Sequence, residues 1–418
     1  MAKDELSSVE SSDRLPAGLE LSPLDEEFRR CPYPILDRLR RESPVYRDPA
    51  FDRVFLTRYA DARAVSTDDA HFVVDPRKSR EGAYARLTLD RGTGDRFEQT
   101  LTRIDDPDHR RLRSLVMRAF TPKAMAAITP RIKSLSEELL DALKGRDSFD
   151  FIDTFASPLP CLVIADMLGV DPSEQRNFKL WSEARQYQNH PARTPEQNAE
   201  LEWGQSNLTN YFRRIVEERR KNRGTDLVSV LIEAEEDGNR LTSDEIVDMC
   251  KLLLSAGNVT TTDLLGNGLV ALLQNPEQMS KLRANPSLIQ NTIEEILRYD
   301  SPIALSNRIT ACPHEVGGVP LETGESVTIS VFAANHDPAV HDRPDVFDIE
   351  RKNTTHIAFG GGAHFCLGSP LARAEAQIAI PMILERFPTL SLDPDKPLAR
   401  KPSANFNGWA QVWMKTSG

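Results

Sequence analysis

Helical periodicity dominates this sequence and limits the folds open to it. Apolar residues recur at three- and four-residue spacing through the segments 109–120, 128–143, 151–168, 200–223, 225–236, 243–274, 288–299 and 367–387. This spacing is typical of helices that bury one face. Prolines stand at several boundaries, as in Thr121-Pro122 and Ser301-Pro302. The sequence therefore predicts a mainly α fold.

A minor β region accompanies the helices. A helix at 34–41 precedes strand-like VYRD (45–48) and RVFLTRY (53–59), and further strand-like pieces lie at 309–311, around Gly317-Gly318, at 327–332 and within 390–413. The charged stretch 75–103 shows no periodicity, and a loop of that length in a compact domain is often a functional lid. No repeat or Gly/Ser linker divides the chain. We expect a polar, partly disordered segment at 1–22 and one domain at 23–418.

Composition excludes several classes of protein. The 418 residues are 39% hydrophobic, which is enough for a large core, and 52 basic against 63 acidic residues give a net charge of −11. An acidic chain disfavours general nucleic-acid binding. We expect neither a secretory signal nor a membrane anchor, because the N-terminus is polar and no apolar run reaches about 18 residues. Five scattered cysteines predict no disulfide framework and a cytoplasmic location: Cys31, Cys161, Cys250, Cys312 and Cys366.

Cys366 is the most informative of these cysteines. It follows a run of three glycines that ends at Gly362, and it stands where the last long helix opens. Unpaired backbone N–H groups and the positive helix end favour a thiolate there. A single thiolate suits the axial site of a haem iron better than a zinc site. Two alternatives remain open at this point, a small buried hydrophobe and a weak phosphate-binding glycine turn.

The ten residues around Cys366 resemble a known signature. Phe359-Gly-Gly-Gly-Ala-His-Phe-Cys-Leu-Gly368 is similar to the haem-binding motif of cytochrome P450, F-G-x-G-x-H-x-C-x-G. The resemblance implies that Cys366 is the proximal thiolate ligand and the one metal ligand. It also implies that His364 reaches a haem propionate, that Phe359 packs beside the sulfur, and that Gly360 and Gly368 shape the cofactor loop.

A carboxylate and a guanidinium lie three residues apart on one helix, at Glu295 and Arg298. Such a pair alone is usually an exposed ion pair of little energetic value. In this position it resembles the Glu-x-x-Arg structural lock of P450s. The family's third partner is an arginine just before the Cys loop. Val346 occupies one usual place, and Arg351 is the candidate.

Cationic residues from separate parts of the chain form a second pattern. His109 and Arg113 lie four apart on one helical face, which alone is typical of a solvated amphipathic helix. By resemblance to P450s they bind a haem propionate together with Arg308 and His364. Two buried carboxylates need such partners to offset their desolvation.

The helix at 243–274 carries a run of threonines after Gly257, where simple β-branched packing is the alternative reading. Thr260 can hydrogen-bond the carbonyl four residues back and open the helix locally. By resemblance, the oxygen-activation groove is formed by Ala256, Gly257, Asn258 and Thr260. Val259 stands where the family has an acid, so Asn258, Asp263, a water chain or a substrate hydroxyl must replace its proton relay.

The resemblance also outlines a substrate pocket. Its residues are Leu253, Ala256, Ile303, Leu305, Asn307, Asn405 and Phe406, and Asn407 is a further hydrogen-bonding candidate. This mixture predicts a small, largely apolar organic substrate with a polar handle, such as a terpenoid, an aromatic or a secondary-metabolite intermediate.

The implied activity is that of a soluble, bacterial-type haem-thiolate monooxygenase. It uses haem b and O2, with electrons from NAD(P)H through a separate ferredoxin and its reductase. A ferredoxin would meet the basic residues Arg110, Arg111, Arg118 and Lys123 of a protein expected to be a monomer. Two alternatives stay open: a peroxide-driven peroxygenase, suggested by Val259, and a non-catalytic ligand-binding domain with the same fold.

Overall fold

A computed structural model describes residues 14–86, 98–236 and 241–416. Its α-helices are α1 (Glu26–Arg30), α2 (Tyr33–Glu42), α3 (Tyr59–Thr67), α4 (Asp108–Val116), α5 (Pro122–Asp141), α6 (Pro158–Leu168), α7 (Gln175–Ala184), α8 (Pro195–Lys221), α9 (Leu227–Glu236), α10 (Ser243–Gln274), α11 (Pro276–Ala284), α12 (Ile289–Tyr299), α13 (Val331–Asn335) and α14 (Ser369–Arg386). Short 3-10 turns join several of them, at Gly18–Leu21, Pro76–Lys78, Met117–Phe120, Pro172–Glu174, Arg185–Asn189, Pro286–Leu288 and Gly362–His364.

The strands form small sheets beside the helices. They are β1 (Val45–Asp48), β2 (Arg53–Leu56), β3 (Phe72–Val73), β4 (Ser148–Asp150), β5 (Leu305–Thr310), β6 (His314–Val316), β7 (Val319–Leu321), β8 (Ser326–Ser330), β9 (Ser391–Leu392), β10 (Ala399–Arg400), β11 (Trp409–Gln411) and β12 (Trp413–Lys415). The largest sheet has the order β1-β2-β8-β5-β3, and the others pair β10 with β11, β6 with β7, and β12 with β4 and β9.

Helix α10 is the centre of the helical part. Its 32 residues begin with a capping box, in which Thr242 and Glu245 satisfy each other's backbone N–H groups. From Thr261 to Leu272 every side chain is buried, so this half of the helix has neighbours on all sides. Helices α6, α7, α8 and α14 pack against it. A fixed central helix of this kind can hold reactive groups at a constant position.

The largest sheet places one functional strand. β5 runs antiparallel to β8, with Asn307 opposite Thr328 and Arg308 opposite Val327. Because side chains alternate along a strand, Ser306 and Arg308 share one face, while Leu305 and Asn307 share the other. This alternation decides which β5 side chains face the site described below.

Most predicted helices are present, with shifted ends. The helix predicted at 151–168 is divided, because Ile152–Ala156 forms a π-helical turn and α6 begins only at Pro158, whose missing N–H suits a first turn. The strand predicted to run to 332 stops at Ser330, whose side chain accepts a hydrogen bond from the N–H of Ala333 and caps α13. Helices α3, α7 and α11 were not predicted.

The structure also describes part of the N-terminal segment and part of the predicted loop. The 3-10 turn Gly18–Leu21 packs against the sheet, where Leu21 is fully buried and the Gly18 N–H donates to Asp48. Of the predicted loop 75–103, residues 87–97 lie outside the described residues. All five cysteines are free thiols. Among the described helices, none is long and apolar enough to cross a bilayer.

Candidate active site

Cys366 lies in a tight loop between the end of an irregular segment and the start of α14. Its backbone N–H donates to the Phe359 carbonyl at 2.9 Å, which closes the loop. Gly360 and Gly362 have φ values of +68° and +63°, which glycine adopts without strain. A Cβ atom on Gly368 would meet nothing within 4 Å, so open space lies beside the loop. The loop therefore presents a half-buried sulfur next to a space that a flat group could fill.

The loop is also held from outside. The Asp69 carboxylate, just beyond the end of α3, accepts a hydrogen bond from the Ala363 N–H at 2.6 Å. On the other side, the Phe359 ring lies under the Arg373 guanidinium at 4.5 Å, and Arg373 binds Glu294 with two hydrogen bonds of 2.6 and 2.8 Å. These contacts fix the Cys loop against both α3 and α12.

Burial and the neighbouring positive groups have opposite effects on the pKa of the Cys366 thiol. Burial raises the pKa of the thiol, whereas the Gly368 N–H, the Arg113 guanidinium and the Ser369 N–H all act to lower it. Arg113 reaches this position because its side chain donates to the Phe365 carbonyl at 2.7 Å. The same donors would stabilise a sulfur anion, and a metal ion bound to the sulfur would add to that effect.

Two imidazoles, His109 on α4 and His364 in the Cys loop, meet at the edge of the same space. Their ring centres are 4.2 Å apart. His109 is only 2% exposed, and its Nε2 has no hydrogen-bond partner among the described residues. Burial, His364 and Arg113 together lower the pKa of His109 to about 4. His364 places Nδ1 3.2 Å from the Leu101 carbonyl oxygen and Nε2 3.8 Å from Asp105.

Arg308 supplies a buried cation from the sheet. It is 5% exposed, and its Nε has no hydrogen-bond partner within the described ranges. One amino group donates to the Asn307 carbonyl at 2.9 Å and lies 3.5 Å from the Ser306 hydroxyl. Burial lowers the pKa of Arg308, against the effect of Asp69 and Asp105. A buried, incompletely paired guanidinium is costly unless an anion joins it, so the site is prepared for anionic groups.

Glu295 and Arg298 form a fully buried pair on α12. Arg298 donates to both carboxylate oxygens at 2.7 and 2.8 Å, and Arg351 adds two contacts of 3.1 Å to the same carboxylate. Both arginines also donate to the Val346 carbonyl, at 3.2 and 2.7 Å. Val346 stands at one usual place of the family's third partner, an arginine, and contributes its backbone carbonyl instead of a charged side chain. The three side chains tie α12 to the segment that leads into the Cys loop.

Helix α10 carries the two predicted groove residues Ala256 and Thr260. The Thr260 hydroxyl donates to the Ala256 carbonyl at 2.8 Å, and Ala256 is exposed. The helix nevertheless stays α-helical throughout, so the predicted local opening is absent. Asn258 is 2% exposed and its carbonyl accepts from Thr262 at 2.8 Å, while a Cβ on Gly257 would touch Ile164 of α6 at 3.5 Å. These two residues therefore support the helix beside Thr260.

Comparison with known proteins identifies this arrangement. The sequence model of cytochrome P450 matches residues 195–408. Cytochrome P450 107B1 of Saccharopolyspora erythraea is 37% identical over 89% of this chain and 92% of its own length. The monooxygenase PikC of Streptomyces venezuelae is 36% identical over 90% of this chain and 89% of its own. The crystal structure of myxobacterial CYP267B1 with myristic acid is 34% identical, with a TM-score of 0.88, over 96% of this chain and 100% of its own.

The chain belongs to the cytochrome P450 family. The predicted fold class, mainly α with small sheets, is thereby confirmed, as is the class of enzyme, a haem monooxygenase. The residues present fit a haem. Open space lies beside Gly368, and the orphaned nitrogens of His109 and Arg308 are the donors that buried propionates require.

A buried ion cluster that was not predicted from the sequence lies at α10. The Glu98 cluster consists of Glu98, Arg185, Lys251 and Asp248. Arg185 donates to both oxygens of Glu98 at 3.2 and 3.1 Å, Lys251 binds the same carboxylate, and Lys251 lies 3.6 Å from Asp248. Burial favours the neutral acid, but Arg185 and Lys251 outweigh it and lower the pKa of Glu98 to about 2. The cluster joins two separate segments, at Glu98 and Arg185, to α10.

Two of the predicted substrate-pocket residues, Leu305 and Asn307, lie on the face of β5 opposite Arg308. Leu305 is 2% exposed and packs with Phe55 and Phe332 in the core on the far side of the sheet. Asn307 accepts a hydrogen bond from Thr328 at 2.8 Å on that same face. Ser306, which the sequence reasoning missed, is the β5 side chain next to Arg308. The two-residue spacing from Arg308 was the available signal.

The other pocket candidates are placed differently. Leu253 is 7% exposed on α10, one turn before the exposed Ala256. Ile303 and Phe406 are half-buried and form a β-bridge, and the Asn405 carbonyl accepts from Ala304 at 2.8 Å. Asn407 is not a pocket residue. It is 4% exposed and its amide donates to Asp300 and to the Ser301 carbonyl, at 2.8 and 3.0 Å.

The basic residues near the Cys loop also separate into two roles. Arg111 binds Glu245 at 2.5 Å and Asp108 at 3.0 Å, and so links α4 to the start of α10. Arg111 is therefore better suited to hold these two helices together than to contact a ferredoxin, the role predicted for it. Arg110 pairs with Asp106, whereas Arg118 and Lys123 are exposed. Two apolar side chains in this region are also exposed. Met117, next to Arg118, is 53% exposed, and Phe365, next to Cys366, is 40% exposed.

Proposed function

We propose that this P450 hydroxylates a small, largely apolar organic molecule, with electrons from a separate ferredoxin and reductase. The observation that carries the proposal is the grouping of His109, His364 and Arg113 around the Cys366 loop, where the buried Nε2 of His109 has no hydrogen-bond partner among the described residues. When bound, haem b supplies the activation of O2 and the transfer of one oxygen atom to the substrate.

The chain's own residues have distinct tasks in this proposal. Cys366 is the thiolate ligand, and Arg113 with the Gly368 and Ser369 N–H groups stabilises its negative charge. His109 and Arg308 would bind the propionates and so hold the cofactor in the site. Arg113 and His364, predicted from the sequence as further propionate partners, line the same edge.

Proton delivery is assigned to the Thr260 hydroxyl. In this structure it donates to the Ala256 carbonyl, so its oxygen is held in place with lone pairs available to accept from water or substrate. Val259 carries no proton, and Asn258 and Asp263 are buried. Asp263 contacts Lys401 at 3.4 Å, and burial raises the pKa of Asp263. Water or a substrate hydroxyl therefore fits the missing step better than either buried side chain.

We infer the substrate class from the side chains of the candidate pocket residues. Leu253, Ala256, Ile303 and Phe406 offer apolar contact, and Ser306 and Asn405 offer polar contact. The Asn405 Oδ1 is buried without a partner among the described residues. The myxobacterial relative is crystallised with myristic acid, an apolar chain with one polar end. These features support an elongated apolar substrate with a single polar group.

The deciding experiment is the carbon monoxide difference spectrum of the reduced protein, beside Cys366→Ala. A strongly red-shifted Soret band that Cys366→Ala abolishes is the expected result. A band typical of a neutral axial ligand, or folded protein that binds no haem, contradicts the proposal and favours a ligand-binding domain. Product formed from peroxide alone, as fast as with ferredoxin and reductase, would replace the monooxygenase by a peroxygenase.

The redox partner is proposed to contact the surface formed by Arg118, Lys123, Met117 and Phe365. Charge reversal at Arg118 or Lys123 should slow reduction by a ferredoxin and weaken its salt dependence. Arg176→Glu, at an exposed position on α7, is the control. Unchanged reduction rates in both partner-face variants would exclude this surface.

A further inference from the structure

Three side chains that commonly ligate metals meet beside the largest sheet, apart from the haem site. Asp68 follows α3, His71 precedes β3, and His314 begins β6. One ligand atom from each lies within 4.8 Å of the other two, and all three residues are half-buried. Asp68 and His71 are close neighbours in sequence, whereas His314 is distant, so the fold brings His314 to the pair.

Asp68 and His71 are already aimed at each other. One Asp68 oxygen accepts the backbone N–H groups of Ala70 and His71 at 3.2 and 3.1 Å, which fixes the carboxylate. The other oxygen lies 2.7 Å from Nδ1 of His71. A single proton occupies this contact when the carboxylate is ionised and the imidazole is neutral. A divalent cation can replace that proton, as metals do on binding to histidine.

His314 completes the group from a different strand. Its ring stacks on His71 with the centres 4.4 Å apart and the planes 29° from parallel, and its edge lies against Phe72 at 5.3 Å. The backbone is fixed here, because the His71 carbonyl accepts the Ala311 N–H at 2.8 Å where β3 pairs with β5. The sheet therefore fixes the backbone next to His71, and His314 stands on the separate hairpin of β6 and β7, which favours a preformed site.

We propose that Asp68, His71 and His314 bind one divalent transition-metal ion of the zinc type. Two imidazoles and one carboxylate suit Zn²⁺ and neighbouring ions and disfavour Mg²⁺ and Ca²⁺, which take mainly oxygen ligands. Bonds of about 2.1 Å in a tetrahedral site place ligand atoms about 3.4 Å apart. The ligand atoms lie within 4.8 Å of one another, so side-chain rotation brings them to this spacing, and water fills the remaining position.

The ion would act as a brace. It would connect the end of α3 to the hairpin of β6 and β7, and Asp69, the next residue, holds the Cys loop through Ala363. Binding to the folded state alone stabilises that state by mass action. The inference is independent of the substrate and of the redox partner.

The test is a Zn²⁺ titration of the holoenzyme, stripped of metal with a chelator, against a chromophoric competitor. The haem-loaded protein is used because His109 and His364 form another adjacent imidazole pair. The background is Cys31→Ser with Cys312→Ser, since Cys31 is exposed and Cys312 half-buried and both thiols bind zinc. We expect one equivalent of Zn²⁺ to bind with a micromolar dissociation constant and to raise the melting temperature.

Matched variants decide the assignment. His71→Ala and His314→Ala should each weaken Zn²⁺ binding at least tenfold and remove the rise in melting temperature. His314→Phe, which keeps a stacked ring, should do the same without loss of fold. His190→Ala, a histidine in the turn before α8, should bind as the parent does. Absence of a stoichiometric site, Zn²⁺ affinity in the His71 and His314 variants equal to that of the parent, or Mg²⁺ binding as tight as Zn²⁺ binding would overturn the proposal.

Discussion

The Glu295 carboxylate binds the guanidinium of Arg351 across 56 positions of sequence, with Nε lying 3.1 Å from each carboxylate oxygen. Arg298 approaches the same carboxylate from within α12, and the Glu295 side chain is fully buried. One carboxylate is therefore the shared counter-ion of two buried guanidiniums. Removal of that charge should affect stability far more than removal of an exposed partner.

Glu295→Gln should lower the free energy of unfolding of the holoenzyme by about 3–5 kcal/mol, because it leaves two guanidiniums without a counter-ion in the interior. Chemical denaturation followed by circular dichroism measures the change. Glu350→Gln, which removes an exposed pair with Lys281, is the control and should change stability by less than about 1 kcal/mol. Equal losses in the free energy of unfolding would show that the buried Glu295 carboxylate stabilises the protein no more than the exposed Glu350 carboxylate does.

Arg308→Met should separate cofactor binding from stability. The variant removes a buried cation whose Nε has no partner in the described part of the chain, so the haem-free protein should not melt at a lower temperature. The loaded protein should lose haem at least tenfold faster, since one propionate loses its charge partner. Transfer of haem to an apoglobin measures that rate. Unchanged haem loss would remove Arg308 from the propionate site.

Thr260→Ala should lower the amount of product formed per electron consumed, by about tenfold, without altering the carbon monoxide spectrum. Thr262→Ala is a close control, because Thr262 also donates to a carbonyl four residues back, at 2.8 Å, but is buried within the helix bundle. Product and NAD(P)H consumption are measured together. If both variants uncouple the reaction equally, the hydroxyl acts on the helix and not on proton delivery.

Glu98→Gln should open the pocket. The variant leaves Arg185 and Lys251 buried with less negative charge between them, and should speed release of a bulky azole from the ferric enzyme about tenfold in stopped-flow experiments. Asp153→Asn, which breaks an exposed pair with Lys179 of α7, is the control and should leave release unchanged.

The pH dependence of this release follows from the pKa of Glu98. A folded-state pKa of about 2 lies below the usual value of 4.5, so the cluster stabilises the fold above about pH 4.5 and loses that effect only as the pH falls towards 2. Release from the parent enzyme should therefore be constant from pH 7 to pH 5. Acceleration within that interval would mean that another group controls opening.

Local patterns predicted most of the helices and the Cys loop because each depends on residues close in sequence. α10 has the bounds, 243–274, that its periodicity predicted. Arg351 could be suspected but not assigned, since only the folded chain brings it to Glu295. The orientation of Leu305 was predictable from alternation with Arg308 but was missed. The Glu98 cluster has no local signal, because its members stand at 98, 185, 248 and 251.

The residues proposed to contact the haem are spread widely along the chain, and this has a consequence for biosynthesis. His109 belongs to the first third of the protein, Arg308 to the last third, and Cys366 comes later still, in a loop that Asp69 must hold from the N-terminal side. A growing polypeptide therefore has no complete haem site until nearly all of it has been made. Loading of the cofactor should be a late event on an almost finished chain, and a cell short of haem should accumulate full-length apoprotein and not arrested fragments.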